Sequence, residues 1–362
     1  MVKMREEDAI KMRIKRIEKE IRDTPYHKAT EHHIGMLRAK LSKLKDQVEL
    51  KQSKKGGGGG GYAVKKQGDA TIVLVGPPSV GKSTLINKLT NAKSKIAPYA
   101  FTTVTVIPGM MEYKDARIQI LDVPGLIDEA EKGKGRGKEV LSVIRGSDLL
   151  ILMCDVENTD KVPRIKNMLE NSGIRIDKTH PDITIEKKLK GGTRIISNIK
   201  QDLGKETIKE VAKEFGYGNS EVTLRQKIDM DQLIDIFSRN RVYIPSITVM
   251  NKSDLKNIKL DDPKTLKISA EKGKGLDKLK EKIYKDLKFL RVFLVRTDEK
   301  PSYSNPIVMK EGDTLKDVAI KIGEDFAEEH ERAKIWESGA KFPGQEVSLT
   351  TEVLEGMQVR FI

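Results

Sequence analysis

The segment GPPSVGKS at positions 76–83 is the first part of the chain whose residue types and spacing could do chemistry. It lies between an apolar run, ATIVLV, and a helical stretch, LINKL, where a G-x-x-x-x-G-K-[ST] loop wraps phosphate groups. Its backbone N–H groups converge on phosphate oxygens, and its glycines allow an approach that a Cβ atom blocks. Lys82 is predicted to bridge the β- and γ-phosphates of a nucleotide, and Ser83 to ligate Mg²⁺. The nucleotide-binding residues predicted here are Gly76, Ser79, Val80, Gly81, Lys82, Ser83 and Thr84.

A second signal, Asp122-Val-Pro-Gly125, follows another apolar run. Its carboxylate is predicted to lie near the metal ion, and the Gly125 amide near the γ-phosphate. Thr102 and Thr103 compete for the role of a Mg²⁺ ligand that is recruited only when the third phosphate is present, and Thr103 is favoured. The predicted catalytic residues are therefore Lys82, Thr103 and Gly125, and the predicted metal ligands are Ser83, Thr103 and Asp122.

Two later signals indicate which base is recognised. Asn251-Lys252-Ser-Asp254 follows the run ITVM, and the Asp254 carboxylate can accept hydrogen bonds from both N1–H and N2–H₂ of guanine, a pair that adenine lacks. Ser269-Ala270-Glu271 is predicted to offer a backbone amide to the guanine oxygen. Four such matches in one order favour a guanine-nucleotide-binding domain over an ATPase.

These segments need a scaffold that brings their strand ends together. Short apolar runs at 70–75, 118–123, 149–154 and 247–250 are typical of buried parallel strands, and helical stretches separate them. The predicted fold class is therefore α/β, a doubly wound and mostly parallel sheet of the P-loop GTPase type. Because roughly 60 residues suffice for two βα units, the longer interval between Asp122 and Asn251 predicts an inserted α+β subdomain at about 160–235.

Both ends of the chain extend beyond this domain, which is expected at 69–290. Two apolar stripes of helical spacing predict a basic helical hairpin over 1–55. They consist of Ile10, Ile14, Ile17 and Ile21, then Leu37, Leu41, Leu44 and Val48. A glycine run makes 56–68 a predicted tether. Strand-like segments around one helix at 291–362 suggest a β-grasp module.

The composition excludes several classes of protein. The 362 residues carry a formal charge of +14, and residues 1–55 hold 16 basic against 9 acidic side chains, which indicates contact with RNA or the ribosome. No apolar run approaches the roughly 18 residues that cross a bilayer, and no signal peptide is recognisable. A single cysteine, Cys154, fits a reducing compartment and a core position. We therefore expect a cytoplasmic protein without membrane contact. His27, His32 and His33 complete no metal-ligand spacing.

Several of these stretches resemble one family. DVPGLIDEAEKGKGRG at 122–137 and YAFTT at 99–103 resemble the Obg family of GTPases. The whole layout is similar to its DRG branch, the developmentally regulated GTP-binding proteins of archaea and eukaryotes. KATEHHIGMLRAKLSKLK at 28–45 and NRVYIPSITVMNKSD at 240–254 strengthen the likeness, which covers essentially the whole chain.

The resemblance implies an enzyme that hydrolyses GTP to GDP and phosphate with Mg²⁺ as cofactor, slowly by itself and faster with a partner. It also implies an inserted domain similar to the second domain of a small-subunit ribosomal protein, and a C-terminal TGS domain. The family is associated with translating ribosomes, and its eukaryotic members work with a regulatory zinc-finger protein.

Three positions bear on the mechanism. Leu126 stands where Ras-like enzymes carry the glutamine that orients the attacking water, so intrinsic hydrolysis is expected to be slow. Arg136, between Gly135 and Gly137, is a candidate arginine finger, the alternative being an ordinary exposed arginine. Ser79 stands where some potassium-activated relatives carry asparagine, which makes K⁺ a candidate second cofactor. A competing interpretation is an RNA- or ribosome-binding scaffold in which nucleotide only sets the conformation, and stimulation of hydrolysis by the partner separates the two.

Overall fold

The computed structural model describes residues 6–54, 67–90, 97–98, 105–123, 136–238, 240–256 and 262–362. The chain divides into two compact units. We call residues 1–61 with 173–243 unit 1, and residues 62–172 with 244–362 unit 2. Of the predicted tether at 56–68, only residues 67 and 68 are among those described.

The helices and strands are numbered in chain order. The helices are α1 Glu6–Asp23, α2 Glu31–Lys54, α3 Lys82–Leu89, α4 Arg136–Arg145, α5 Lys161–Asn171, α6 Lys205–Glu214, α7 Met230–Phe237, α8 Leu276–Asp286, α9 Leu315–Ile322 and α10 Glu324–Glu329. The strands are β1 Ala70–Val75, β2 Ala97–Pro98, β3 Thr105–Tyr113, β4 Ala116–Asp122, β5 Leu149–Asp155, β6 Ile174–Ile176, β7 Ile183–Lys187, β8 Thr193–Ser197, β9 Ser220–Leu224, β10 Val242–Ile244, β11 Ser246–Asn251, β12 Leu266–Lys267, β13 Phe289–Leu294, β14 Pro306–Lys310, β15 Arg332–Trp336, β16 Gln345–Ser348 and β17 Gln358–Phe361.

The main sheet of unit 2 has the strand order β12-β11-β5-β1-β4-β3-β2. The strands from β12 to β4 pair in parallel, and β3 and β2 pair antiparallel. Every residue of β1 and β5 is buried, as expected when both faces of a parallel sheet are covered. This sheet confirms the predicted α/β class and places the carboxyl ends of β1, β4, β5 and β11 along one edge.

A second sheet of unit 2 has the order β14-β13-β17-β15-β16, in which β13 and β17 are parallel neighbours. Its apolar core includes Leu315, Val318 and Ala319 of α9. The region also contains α10, and the β-grasp interpretation of residues 291–362 stays a prediction. Phe289 and Val308, from its first two strands, belong to the same buried cluster as the residues of β1.

Two lysines link this second sheet region to the amino end of β1. Lys310 Nζ lies 3.0 Å from Asp148 Oδ1, and the other oxygen of Asp148 accepts a hydrogen bond from the Thr71 amide at 2.9 Å. Lys321 Nζ lies 2.6 Å from Asp69 Oδ1. Both contacts are at the edge of the main sheet opposite to the 76–83 loop.

Unit 1 contains the inserted subdomain. Its sheet has the order β7-β9-β8, and α6 connects the parallel strands β8 and β9. Its compact boundary, 173–243, differs from the expected 160–235 because α5 belongs to unit 2, where Val162, Ile165 and Leu169 are buried. The spacing argument gave the length of the insertion, but not which helix would pack with which sheet.

Helix α2 packs on the insert through a face of small and polar residues. Ala39 is fully buried in the cluster that contains Ile208 and Phe237. The Ser42 hydroxyl lies 2.9 Å from the Ser238 hydroxyl, and both side chains are buried. By helical periodicity this face is opposite to the predicted leucine stripe. Helix α2 therefore has two packing faces, the apolar stripe and the face of small residues that contacts the insert.

A buried ionic network lies in the same unit. Asp235, whose side chain is 4% exposed, accepts hydrogen bonds from the guanidinium groups of Arg175 and Arg241. The Tyr243 hydroxyl donates to the same carboxylate at 3.3 Å. Burial and the adjacent Asp235 charge raise the pKa of Tyr243. Arg241 also lies 3.4 Å from Asp46 of α2, so the network joins the hairpin to the insert.

Candidate nucleotide-binding site

The loop that follows β1 adopts the tight course that its sequence predicts. A Cβ atom on Gly76 would lie 2.4 Å from the backbone oxygen of Met153, so no larger residue fits without a backbone shift. Gly81 has φ +91°, in the left-handed region, and its Cβ would lie 2.4 Å from Asn251 Nδ2. Gly81 is also the N-cap of α3 and provides no side-chain cap, which leaves the first amides of the helix suited to an anion.

Lys82 lies at the first position of α3 and is nearly buried. Its ammonium group donates to the backbone oxygens of Gly76 at 3.1 Å and Pro77 at 3.0 Å. The cation is therefore held over the loop whose amides are predicted to bind phosphate. Of the other predicted loop residues, Val80 is buried, and Ser79 and Thr84 are exposed.

Asp122, the last residue of β4, meets Ser83 at the carboxyl edge of the sheet. The Ser83 hydroxyl donates to Asp122 Oδ2 at 2.9 Å. Burial raises the pKa of Asp122, and the charge of Lys82 and the Ser83 hydrogen bond act against that shift. Within the described part of the chain, the buried Oδ1 atom of Asp122 has no hydrogen-bond partner. A buried carboxylate oxygen with free lone pairs beside a hydroxyl is a donor set that suits Mg²⁺.

Asn251, at the end of β11, joins two of the predicted segments. Its Nδ2 donates to the Val80 oxygen at 2.8 Å, and its Oδ1 accepts from the Ala270 amide at 2.9 Å. One buried amide therefore fixes the phosphate-loop side of the site relative to the segment expected to contact guanine. Both bonds satisfy backbone groups that burial would otherwise leave unpaired.

Lys252 has φ +59° and pairs with Asp155 at 2.8 Å. Burial by itself would raise the pKa of Asp155, but hydrogen bonds from Lys252, Asn158 and the Glu157 amide outweigh it, and the pKa is lowered. The sequence reasoning missed Asp155. Its signal was present, because it directly follows the buried run LLILMC, and carboxyl ends of parallel strands share one edge.

Asp254 lies at the same edge and interacts with the 269–272 segment. Its carboxylate is 3.0 Å from Lys272 Nζ. Hydrogen bonds from Ser269 and then Lys272 lower the pKa of Asp254, so the carboxylate stays ionised as an acceptor. Ser269 and Ala270 are buried, and Glu271 is exposed. Lys272 was not among the predicted residues.

Part of the predicted site lies outside the described residues. Thr102, Thr103, Gly125 and Leu126 fall there, and so does the side chain of Arg136, although α4 begins at this residue. The residues that the structure brings together at the carboxyl edge are Gly76, Ser79, Val80, Gly81, Lys82, Ser83, Thr84, Asp122, Asn251, Lys252, Asp254, Ser269, Ala270 and Glu271.

Three other reactive side chains, His32, His33 and Cys154, have structural partners. His32 contacts Glu210 at 2.8 Å, and His33 contacts Glu20 at 3.1 Å. No group of three or more potential His, Cys, Asp or Glu metal ligands occurs among the described residues. Burial raises the pKa of Cys154 to about 11, and its thiol donates to the Val249 oxygen at 3.7 Å, which is typical of a core cysteine.

Among the described helices, none is both long enough and apolar enough to span a membrane.

Known proteins match this chain over most of its length. Residues 71–187 match the family model described as a 50S ribosome-binding GTPase, and residues 190–289 match the C-terminal region of the same domain. An uncharacterized GTP-binding protein of Methanocaldococcus jannaschii is 46% identical, with 96% of this chain and 91% of that protein covered. Developmentally-regulated GTP-binding protein 1 of Xenopus laevis is 40% identical, with 92% and 94% covered.

Among solved structures, the cytosolic domain of L. pneumophila FeoB is 15% identical and covers 71% of this chain and 76% of that chain, with a TM-score of 0.35. A TM-score this low carries no weight, and the family assignment rests on the sequence relatives. Those relatives confirm the DRG resemblance. The chain belongs to the family of developmentally-regulated GTP-binding proteins and is a GTP-binding protein with a GTPase domain.

Proposed function

We propose that this protein is a Mg²⁺-dependent enzyme that hydrolyses GTP to GDP and phosphate and acts as a nucleotide-dependent switch on the ribosome in the cytoplasm. The observation that carries the hydrolytic part is the buried carboxylate oxygen of Asp122, unpartnered among the described residues and beside Ser83 and Lys82. The ribosomal part is supported by the description of the matching family model and by the charge of +14.

In this proposal each group at the carboxyl edge has one role. The amides of the 76–83 loop and Lys82 bind the phosphates, and Ser83 and Asp122 hold Mg²⁺. The metal, when bound, supplies positive charge beside the phosphate oxygens. Thr103, with Thr102 as the alternative, is the ligand that depends on the third phosphate, and the Gly125 amide contacts that phosphate.

Guanine recognition is assigned to two segments. Asp254 accepts from N1–H and N2–H₂ of the base, and the backbone around Ala270 donates to its oxygen. The lowered pKa of Asp254 supports this role because an ionised carboxylate is acceptor-only. Asn251 and Lys252 hold these segments through Val80 and Asp155. Unlabelled GTP is expected to displace a fluorescent guanine nucleotide much more effectively than ATP, and equal competition by ATP would contradict the assignment.

Apart from Lys82, the catalytic roles proposed here are inferred from the sequence alone. Leu126 cannot orient water, so we expect slow intrinsic turnover and stimulation by a partner. Arg136→Ala tests the arginine finger, because an unchanged GTP turnover with and without ribosomes would eliminate it. Turnover in K⁺ compared with Na⁺ tests whether Ser79 contributes to a potassium site.

Lys82→Ala tests the nucleotide site directly. The change removes charge-assisted hydrogen bonds to phosphate, and we expect about 100-fold weaker GTP binding, or roughly 2–3 kcal/mol. Lys88→Ala is the matched control, because Lys88 is an exposed lysine of the same helix α3. Fluorescent-nucleotide titration measures both. Equal affinities for the two variants would mean that the nucleotide does not bind at this loop.

Co-sedimentation with ribosomes tests the switch. We expect the protein to pellet more with a non-hydrolysable GTP analogue than with GDP, and ribosomes to accelerate GTP turnover. Equal pelleting in both states without acceleration would favour the scaffold interpretation. The TGS character of residues 291–362 and a dedicated regulatory protein partner are also proposals, drawn from the family resemblance.

A further inference from the structure

Helix α1 has an unequal distribution of charge around its axis. Two of its six acidic residues, Glu18 and Glu20, contact α2, at 3.0 Å from Lys45 and 3.1 Å from His33 respectively. Its basic side chains are all exposed: Lys11, Arg13, Lys15, Arg16, Lys19 and Arg22. These ion pairs compensate the charges of Glu18 and Glu20, while Asp8 and Asp23 are exposed together with the six basic side chains.

The basic residues of α2 are used differently. Arg38 pairs with Asp231 at 3.4 Å, and Lys43 pairs with Glu214 at 3.2 Å, so both contact the insert. Lys45 pairs with Glu18 of α1. Helix α1 holds six basic and six acidic residues, and α2 holds six basic and three acidic residues. Helix α2 uses Arg38, Lys43 and Lys45 within unit 1, whereas the basic side chains of α1 are exposed.

Lys15, Lys19 and Arg22 form a row on α1. Their spacing of four and three residues places them on one side of the helix, and the rise of 1.5 Å per residue makes the row about 10 Å long. Among the described residues, none of the three has an ion-pair or hydrogen-bond partner. Lys11 continues the row by one more turn, although it has an interaction within the chain.

We propose that this row binds the phosphate backbone of double-helical RNA without reading its sequence. A straight row of cations on a helix held by α2 suits the regular backbone of a duplex, and α1 contains no aromatic residue on which unpaired bases could stack. The inference rests on the ribosome-binding role proposed above and assigns the RNA contact to one face of α1.

The test is the salt dependence of binding of the full-length protein to a fluorescent 24-base-pair RNA duplex, measured by anisotropy. Each lost phosphate contact lowers the slope of log K against log salt by about 0.9, so the triple variant Lys15→Gln/Lys19→Gln/Arg22→Gln is expected to lose about 2.7 of that slope. The wild type then loses about 40-fold more affinity than the variant between 50 and 200 mM salt. The matched control, Lys278→Gln/Lys280→Gln/Lys285→Gln on α8, carries the same charge change.

The control triple is expected to keep the wild-type slope. Equal slopes for the two triples would overturn the proposal, since bulk charge would then explain the binding. A triple α1 variant that loses binding to phosphatidylserine vesicles but not to RNA would also overturn it, in favour of a membrane surface. GTP affinity, titrated on the same samples, stays at the wild-type value. Failure of the wild type to bind GTP would count against the proposed function. The salt dependence of RNA binding would still be measurable on the same protein and would still test the row on α1.

Discussion

The nucleotide edge of unit 2 and the hairpin–insert contact of unit 1 are both built from buried polar residues, yet only the first could be predicted. At the nucleotide edge, glycines, Lys82 and Ser83 lie within eight consecutive residues, and their order alone indicates the chemistry. In unit 1, Ser42 meets Ser238 and Asp46 meets Arg241, across nearly two hundred residues. The difference teaches that a local motif is visible in sequence, whereas a docking face of small residues is not.

The largest expected effect is on the buried network of unit 1. Asp235→Asn leaves Arg175 and Arg241 without a full countercharge, and we expect the free energy of unfolding to fall by about 3–5 kcal/mol. Asp231→Asn on the same helix is the control, since its pair with Arg38 is exposed and worth about 0–1 kcal/mol. Denaturant unfolding measures both. If the two variants lost similar stability, the network would not hold unit 1 together.

The second prediction concerns the buried side-chain amide of Asn251 at the nucleotide edge of unit 2. Asn251→Ala leaves the Val80 oxygen and the Ala270 amide unpaired, and we expect a loss of about 2–3 kcal/mol of stability together with weaker GTP binding. Asn167→Ala on α5 is the control, because Asn167 is exposed and its contact with Asn171 is at the surface. Unfolding curves and nucleotide titration check it. Normal GTP affinity in Asn251→Ala would show that this bridge does not position the site.

The third prediction tests the small-residue face of α2. Ala39→Leu adds three carbon atoms to a fully buried position in the insert's core, and overpacking is expected to cost about 1–3 kcal/mol. Lys40→Leu, at the exposed neighbouring position, is expected to change stability by less than about 0.5 kcal/mol. Thermal unfolding distinguishes them. A neutral Ala39→Leu would mean that α2 does not pack closely on the insert.

The smallest effect is expected at the amino end of β1. Lys321→Met removes the partly exposed ion pair with Asp69, which also accepts a hydrogen bond from the Arg117 amide, so we expect a cost of about 0–1 kcal/mol. Lys316→Met on the same helix, α9, is the control. Denaturant midpoints compare the two, and a loss above about 2 kcal/mol for Lys321→Met would contradict this assignment.

The sequence predicts the elements better than their packing. Strands β1, β4, β5 and β11 begin and end within about two residues of the apolar runs, because burial on both faces requires continuous apolar sequence. Asp155 and Lys272 were missed because no motif marks them, although Asp155 lies at a predictable strand end. The docking of α2 could not be predicted, since glycine, alanine and serine in a helix give no periodic apolar signal.

The contacts at the amino end of β1 bear on how this protein could be recombined with others. Asp148 and Asp69 are mostly buried carboxylates that take their cations from Lys310 and Lys321, and Phe289 and Val308 complete the core beside β1. Residues 291–362 are therefore not an independent domain that gene fusion could move to another protein without loss of contacts. A host domain that acquired them would also have to acquire the two aspartates and the apolar surface that receive them.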